Sequence, residues 1–169
     1  MRGHKHFKTI IKNIIFGVED SLVSSVGMLS GIAYAGVGRT EIIIAGVILI
    51  FVEAFSMGVG SSLTEHITGD GEHEDARESA LVSGVTMFSS YFIAGFIPLS
   101  PYILLPLQYA PYVSITAALL GLFIAGSTAA KILRTGSLKA GFRFLILGGL
   151  AIGIGVLVGT FLRNLNIGS

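Results

Sequence analysis

Ile42-Ile43-Ile44-Ala45-Gly46-Val47-Ile48-Leu49-Ile50-Phe51-Val52-Glu53-Ala54-Phe55-Ser56-Met57-Gly58-Val59-Gly60 decides the fold class of this chain. A helix crossing about 30 Å of hydrocarbon needs roughly 20 residues. This run supplies them with a single charge, Glu53, inside it. Its apolar residues fill the run instead of forming the stripe of a water-facing helix. Outward from it lie further stretches of the same kind. Together they predict five spans, at about Ile14–Ala35, Glu41–Leu63, Ala80–Leu99, Tyr112–Ile132 and Phe142–Leu162. The connector between the first two is only Gly36-Val37-Gly38-Arg39-Thr40, so those helices are antiparallel neighbours.

Composition points the same way. Apolar residues make up 52% of the chain and charged residues 12%, and the mean hydropathy is +0.81. Soluble domains carry about 25% charged residues to cover their surface. The expected fold class is therefore all-α: a polytopic membrane protein with one transmembrane domain over residues 1–169. The absence of cysteine excludes disulfides, thiolate metal sites and Cys nucleophiles. The first long apolar run has no short core followed by a small-residue cleavage site, so the first helix is expected to be retained. No repeat, low-complexity tract or soluble domain is evident, and nothing indicates a nucleic-acid partner.

The net charge of +1 says little, but its distribution says more. Arg2, Lys5, Lys8 and Lys12 precede the first span, and Lys131, Arg134, Lys139 and Arg143 flank the loop before the fifth. With Arg77 they fall on one side of a five-helix topology, against Arg39 and Arg163 on the other. The positive-inside rule then puts the N-terminus in the cytosol and the C-terminus outside. Residues 1–13, with His4 and His6, read as a basic juxtamembrane segment drawn to anionic headgroups. All four prolines, Pro98, Pro101, Pro106 and Pro111, fall between the third and fourth helices, Pro98 at the very end of the third predicted span, and suggest a bent connector. Ile103, Leu104, Leu105 and Leu107 place that connector at the interface, where Tyr102, Tyr109 and Tyr112 fit an aromatic belt.

Three acids stand out because they lie inside the spans. Glu19 and Asp20 sit in the first and Glu53 in the second. A charged side chain at the bilayer centre costs about 2.5–3.5 kcal/mol on insertion scales. No Lys or Arg lies deep in any span to neutralise them. Protons, water or a bound cation must meet the charge. Gly17, Asp20, Ser24, Gly27 and Gly31 recur at spacings of three and four and share one helix face. That face suits close helix contact or the lining of a path. Glu19 points about 100° away from it and nearer the cytosolic end, towards headgroups. In the second span Glu53 and Met57 are four apart, with Ser56 and Gly60 alongside. A carboxylate with a thioether offers a hard and a soft ligand together, which favours transition metals over Mg²⁺ or Ca²⁺. The plainer reading of Met57 is a gap-filler in a core.

Between the second and third spans, residues 64–79 form a predicted cytosolic loop rich in acids. His66, Asp70, Glu72, His73, Glu74 and Asp75 have two readings, metal capture before transport or a solvated charged turn, and no His-x₃-His or EF-hand spacing decides between them. Gly27 with Gly31, Gly149 with Gly153, and Gly155 with Gly159 are small-xxx-small pairs that mark helix or subunit contacts in lipid. They are not phosphate loops, since they lie inside apolar spans with no Lys-Ser/Thr following.

These residues resemble the vacuolar iron transporter family, whose members export ferrous or manganous ions from the cytosol. Phe16-Gly17-Val18-Glu19-Asp20-Ser21-Leu22-Val23-Ser24 looks like the family's first-helix motif, Gly-x-x-Asp-Gly-x-x-Ser. Glu53-Ala54-Phe55-Ser56-Met57-Gly58-Val59-Gly60 looks like its second-helix Ser-Met-x-x-Gly. The stretch from Tyr91 to Tyr102 is similar to its third-helix ending, and Leu147-Gly148-Gly149-Leu150-Ala151 to a fifth-helix pattern. The resemblance spans nearly the whole chain. It implies five helices, a homodimer, an ion path at the dimer interface using Asp20 and Met57, and exchange of metal for protons. Ser21 departs from the usual Gly, Ser61 stands where many members have Glu, and Glu53 adds an acid upstream. The large metal-binding insert of bigger members is replaced by the short acidic loop.

The expectation is a divalent-metal (Fe²⁺ or Mn²⁺) transporter with no permanently bound cofactor, moving ions out of the cytosol by proton antiport. Its membrane is the plasma (inner) membrane in a prokaryote and a vacuole-like one in a eukaryote. A passive cation channel would need the same acids without proton coupling. A non-transporting assembly subunit would pair its acids with a partner's basic residues. An enzyme is not expected, because no His-Glu-x-x-His motif or nucleophile–base pair is present.

Overall fold

The computed structural model describes residues 2–68, 73–132 and 137–165, with side chains placed from Thr9 onward except at 73–76 and Ser137. Five helices follow one another: α1 (Arg2–Tyr34), α2 (Arg39–Thr68), α3 (His73–Leu104), α4 (Ala110–Ile132) and α5 (Ser137–Asn164). Each contains a window long and apolar enough to cross a membrane. Large apolar side chains point outward along every helix, from Phe55 on α2 to Leu157 on α5. Contiguous apolar surface on this scale is a lipid-facing one, not a surface for water.

Helix α1 is the axis of the molecule and touches the other four. Helices α2 and α3 pack together on one side of it, and α4 and α5 on the other, with no contact of α5 to α2 or α3 among the described residues. The core is built along α1. Leu29 packs with Ile42, Ile50, Leu99 and Tyr102, Leu22 with Ala94 and Leu122, and Val26 with Ala118 and Ile152. On the α2–α3 side, Phe92 meets Phe51 edge-on at 5.0 Å and stacks near Phe88 at 5.6 Å.

The first turn closes as the short glycine connector predicts. Gly36 adopts φ +88°, open to it because it has no Cβ. Its N–H bonds the Ala33 carbonyl at 3.1 Å, and Val37 N–H bonds that of Ile32 at 3.4 Å. This is the paired C-cap that satisfies the last carbonyls of a helix. At the same end Arg39 donates to the carbonyls of Tyr102 (2.7 Å) and Ile103, so one guanidinium covers the C-terminus of α3.

The prolines correct the sequence reading. Pro98 and Pro101 lie inside α3, which continues to Leu104, and Pro111 lies in the first turn of α4. Pro106 alone is in the connector. Pro101 has no N–H for the Ile97 carbonyl, and the Ser100 hydroxyl takes its place at 2.9 Å. The hydroxyl of Ser114 on α4 donates to the Pro98 carbonyl at 2.7 Å. Within hydrocarbon an unravelled backbone costs more than a helix with a substituted bond, so the helix persists through both prolines. The acidic segment is also shorter as a loop than expected. Helix α2 runs to Thr68 and α3 begins at His73, so much of 64–79 is helix.

Candidate functional site

The site grows from the register of α1, α2 and α3. Helices α1 and α3 run parallel, and residues 70 apart in sequence meet repeatedly: Asn13 with Ser83 (2.5 Å) and Ser21 with the Tyr91 carbonyl (2.7 Å). Helix α2 runs antiparallel to α3, set by Glu65 with Ser79 (2.8 Å) and Ser61 with Ser83 (2.9 Å). This register carries Glu53 of α2 to the level of Tyr91 and of Asp20 on α1. The carboxylates of Asp20 and Glu53 lie within electrostatic reach of each other, and the Tyr91 hydroxyl within reach of both. Tyr91 is fully buried, and its hydroxyl is 2.6 Å from that of Ser24. Two carboxyl groups thus come near each other in the middle of the spans.

Asp20, Glu53 and Met57 are all half-buried. No Lys or Arg occurs between Lys12 and Arg39, between Arg39 and Arg77, or between Arg77 and Lys131, so α1, α2 and α3 carry none at this depth. The arrangement offers two hard oxygen ligands, nearby hydroxyls, and a thioether one turn away on α2. Among the described residues no three His, Asp or Glu side chains gather into a ready-made metal cage. Any cation held here needs Met57, hydroxyl or water ligands, or a second chain, to complete its shell.

The other sequence candidates fall elsewhere. Glu19, next to Asp20, lines a separate cavity of about 320 Å³ between α1, α4 and α5, with Lys12, Phe16 and Phe144. His66 is exposed near the end of α2. Asp70 and Glu72 lie outside the described residues, as do the side chains of His73, Glu74 and Asp75. The small-residue face of α1 divides between two partners. Gly17 lies against Met87 and Ser90 of α3, whereas Gly27 and Gly31 lie against the backbone of Ala151 and Gly155 on α5. Ser24 stands at the join, where it also borders a groove of about 660 Å³ between α1 and α5.

Tyr91 was not among the sequence candidates. A tyrosine in an apolar helix reads as core or belt, and only the offset of 70 between α1 and α3 brings it to the acids. Ser21, the departure from the family's Gly, is fully buried and its hydroxyl is satisfied by the Tyr91 carbonyl. Ser61, where many members carry Glu, bonds Ser83 instead.

The model of the VIT family matches residues 11–74 and 62–160, which cover all five helices. Among curated proteins none matches the chain.

Proposed function

Because this chain belongs to the VIT family, the vacuolar iron transporters, we propose that it carries Fe²⁺ or Mn²⁺ out of the cytosol in exchange for protons, with Asp20 and Glu53 as the central ligands. The observation that carries this reading is the pairing of two carboxylates inside the spans of α1 and α2, with no basic residue on α1–α3 at their depth. A carboxylate among apolar groups is costly as a bare anion. Two of them are tolerable when protons occupy the empty site and a dication the loaded one. Alternation between these forms keeps the local charge near zero throughout the cycle, and that is the physical basis for exchange.

Met57 lies one turn from Glu53 and supplies the soft contact that favours a transition metal over Mg²⁺ or Ca²⁺. Tyr91 and Ser24 hold the hydroxyl side of the site. The N-terminus faces the cytosol, by the basic residues of 1–13 and of the loop before α5. The protein works as a homodimer in this reading. Ser56 and Gly60 are exposed on an otherwise apolar face of α2, with open space beside Gly60, and suit a subunit contact. The acidic segment that follows α2 collects metal on the cytosolic side in this reading.

Reconstitution in liposomes loaded with a metal-sensitive dye tests the proposal. Wild-type protein is expected to admit Mn²⁺, and Asp20→Ala and Glu53→Ala to admit little. Rates equal to wild type in both variants would rule the mechanism out.

A further inference from the structure

The four helices around α1 form a row that does not close. Helix α2 packs on α3, α3 on α4 and α4 on α5, but among the described residues α2 and α5 do not touch. Between them α1 is left uncovered. Along that side runs the groove of about 660 Å³ that Ser24 borders. It extends from Ser24, well inside α1, to Ala35 at the end of α1 and to Leu162 and Arg163 near the end of α5. It therefore opens on the side away from the N-terminus.

Asp20, Ser24 and Met28 follow one another at a spacing of four on α1 and share one helix face. Ser24 joins the groove to the acids. Its hydroxyl pairs with that of Tyr91 at 2.6 Å, and Tyr91 lies within electrostatic reach of Asp20 and Glu53. Met28 is half-buried and lines the groove one turn further out. It stands about 12 Å from Asp20 along α1 at 1.5 Å per residue. Helix α2 runs in the opposite direction, so Met57 lies on the N-terminal side of Glu53. The two thioethers thus flank the acid level, one on either side.

The groove is unlike the site it leads from. No Asp or Glu lines it, and its one charged residue is Arg163 at the outer end. Its volume has room for on the order of 20 waters at about 30 Å³ each, enough for an ion that carries part of its hydration shell. A wall without carboxylates holds a cation weakly, and release requires a site that the ion can leave. The guanidinium at the outer end opposes the return of a cation from that side.

We infer that this groove is the outward half of the ion's path and that Met28 is its soft contact, met by the ion as it leaves the acids. The inference rests on the transport reading above and deepens it. The path stays on the side of α1 that a second copy would cover, in keeping with the subunit interface that the resemblance implies. Met28 acts on specificity: a thioether beyond the acids passes a transition metal more readily than Mg²⁺.

The chain contains no cysteine, so Met28→Cys carries a single thiol. Full-length protein in liposomes is treated with a bulky water-soluble thiol reagent from the side bearing the C-terminus, and Mn²⁺ uptake is then measured. Met28→Cys is expected to react and to lose most of its transport. Leu120→Cys, on the outer face of α4 at 58% exposure, is the control and should keep its transport. A Met28→Cys protein that transports Mn²⁺ but does not react, or reacts without loss of transport, would overturn the path. Should that variant not transport before labelling, Met28→Leu decides, since it keeps the side-chain volume and removes the sulfur. A lower rate ratio of Fe²⁺ to Mg²⁺ than in the wild type, under reducing conditions, supports the role of Met28. An unchanged ratio contradicts it. Failure of the unmodified protein to move any of these ions would instead overturn the transport reading.

Discussion

Asp20 and Glu53 carry the account at the scale of single residues. Asp20→Asn and Glu53→Gln preserve shape and remove charge, so the fold should survive. Each is expected to cost at least about 2 kcal/mol in Mn²⁺ affinity, roughly thirtyfold. Transport titrations against Mn²⁺ check this. Tyr91→Phe removes the hydroxyl paired with Ser24 at 2.6 Å. It should lower stability by about 1 kcal/mol, read as a fall in melting temperature in detergent, because Ser24 loses a partner. These two sites were not equally visible beforehand. An acid inside an apolar run is conspicuous in sequence, because lipid penalises it. The tyrosine is not, since its part follows from how α3 lies against α1, a relation that local residue pattern does not contain. The divergence of Glu19 from Asp20 was also legible, since consecutive helical residues point about 100° apart, but Glu19 faces α4 and α5 where headgroups were expected.

At the scale of helices, glycine decides how close two of them come. A Cβ on Gly31 would lie 2.8 Å from the Gly155 carbonyl oxygen, and one on Gly159 would collide with Gly31. Gly31→Ala and Gly159→Ala should therefore destabilise by about 1–3 kcal/mol as α1 and α5 are pushed apart. Gly149 and Gly153 have open space beside them, and their Ala variants should melt as the wild type does in monodisperse detergent samples. Sequence spacing marked all of these glycines as contacts and could not separate inward from outward pairs, because that needs the rotation of α5 about its axis. The existence of the helices was plain from the apolar runs. Their ends were not. Proline reads as a helix stop by its missing N–H, yet the Ser100 hydroxyl satisfies the Ile97 carbonyl that Pro101 leaves open, and α3 continues.

For the whole molecule, the division into α2–α3 and α4–α5 around α1 places the acids on the first side. Exchange predicts that metal flux responds to a pH gradient. Acidifying the side that receives the metal should accelerate Mn²⁺ uptake, measured with dye-loaded liposomes, because protons must return against the ion. Flux indifferent to the gradient would mark a passive channel. The claim on which the rest depends is simpler than coupling: Asp20 and Glu53 together hold a dication within the membrane. Equilibrium Mn²⁺ binding to purified protein, followed by the spin-resonance signal of free Mn²⁺, addresses it directly. Saturable binding by the wild type that is lost in the Asp20→Asn/Glu53→Gln double variant is the predicted result, and equal binding by the two proteins would contradict it.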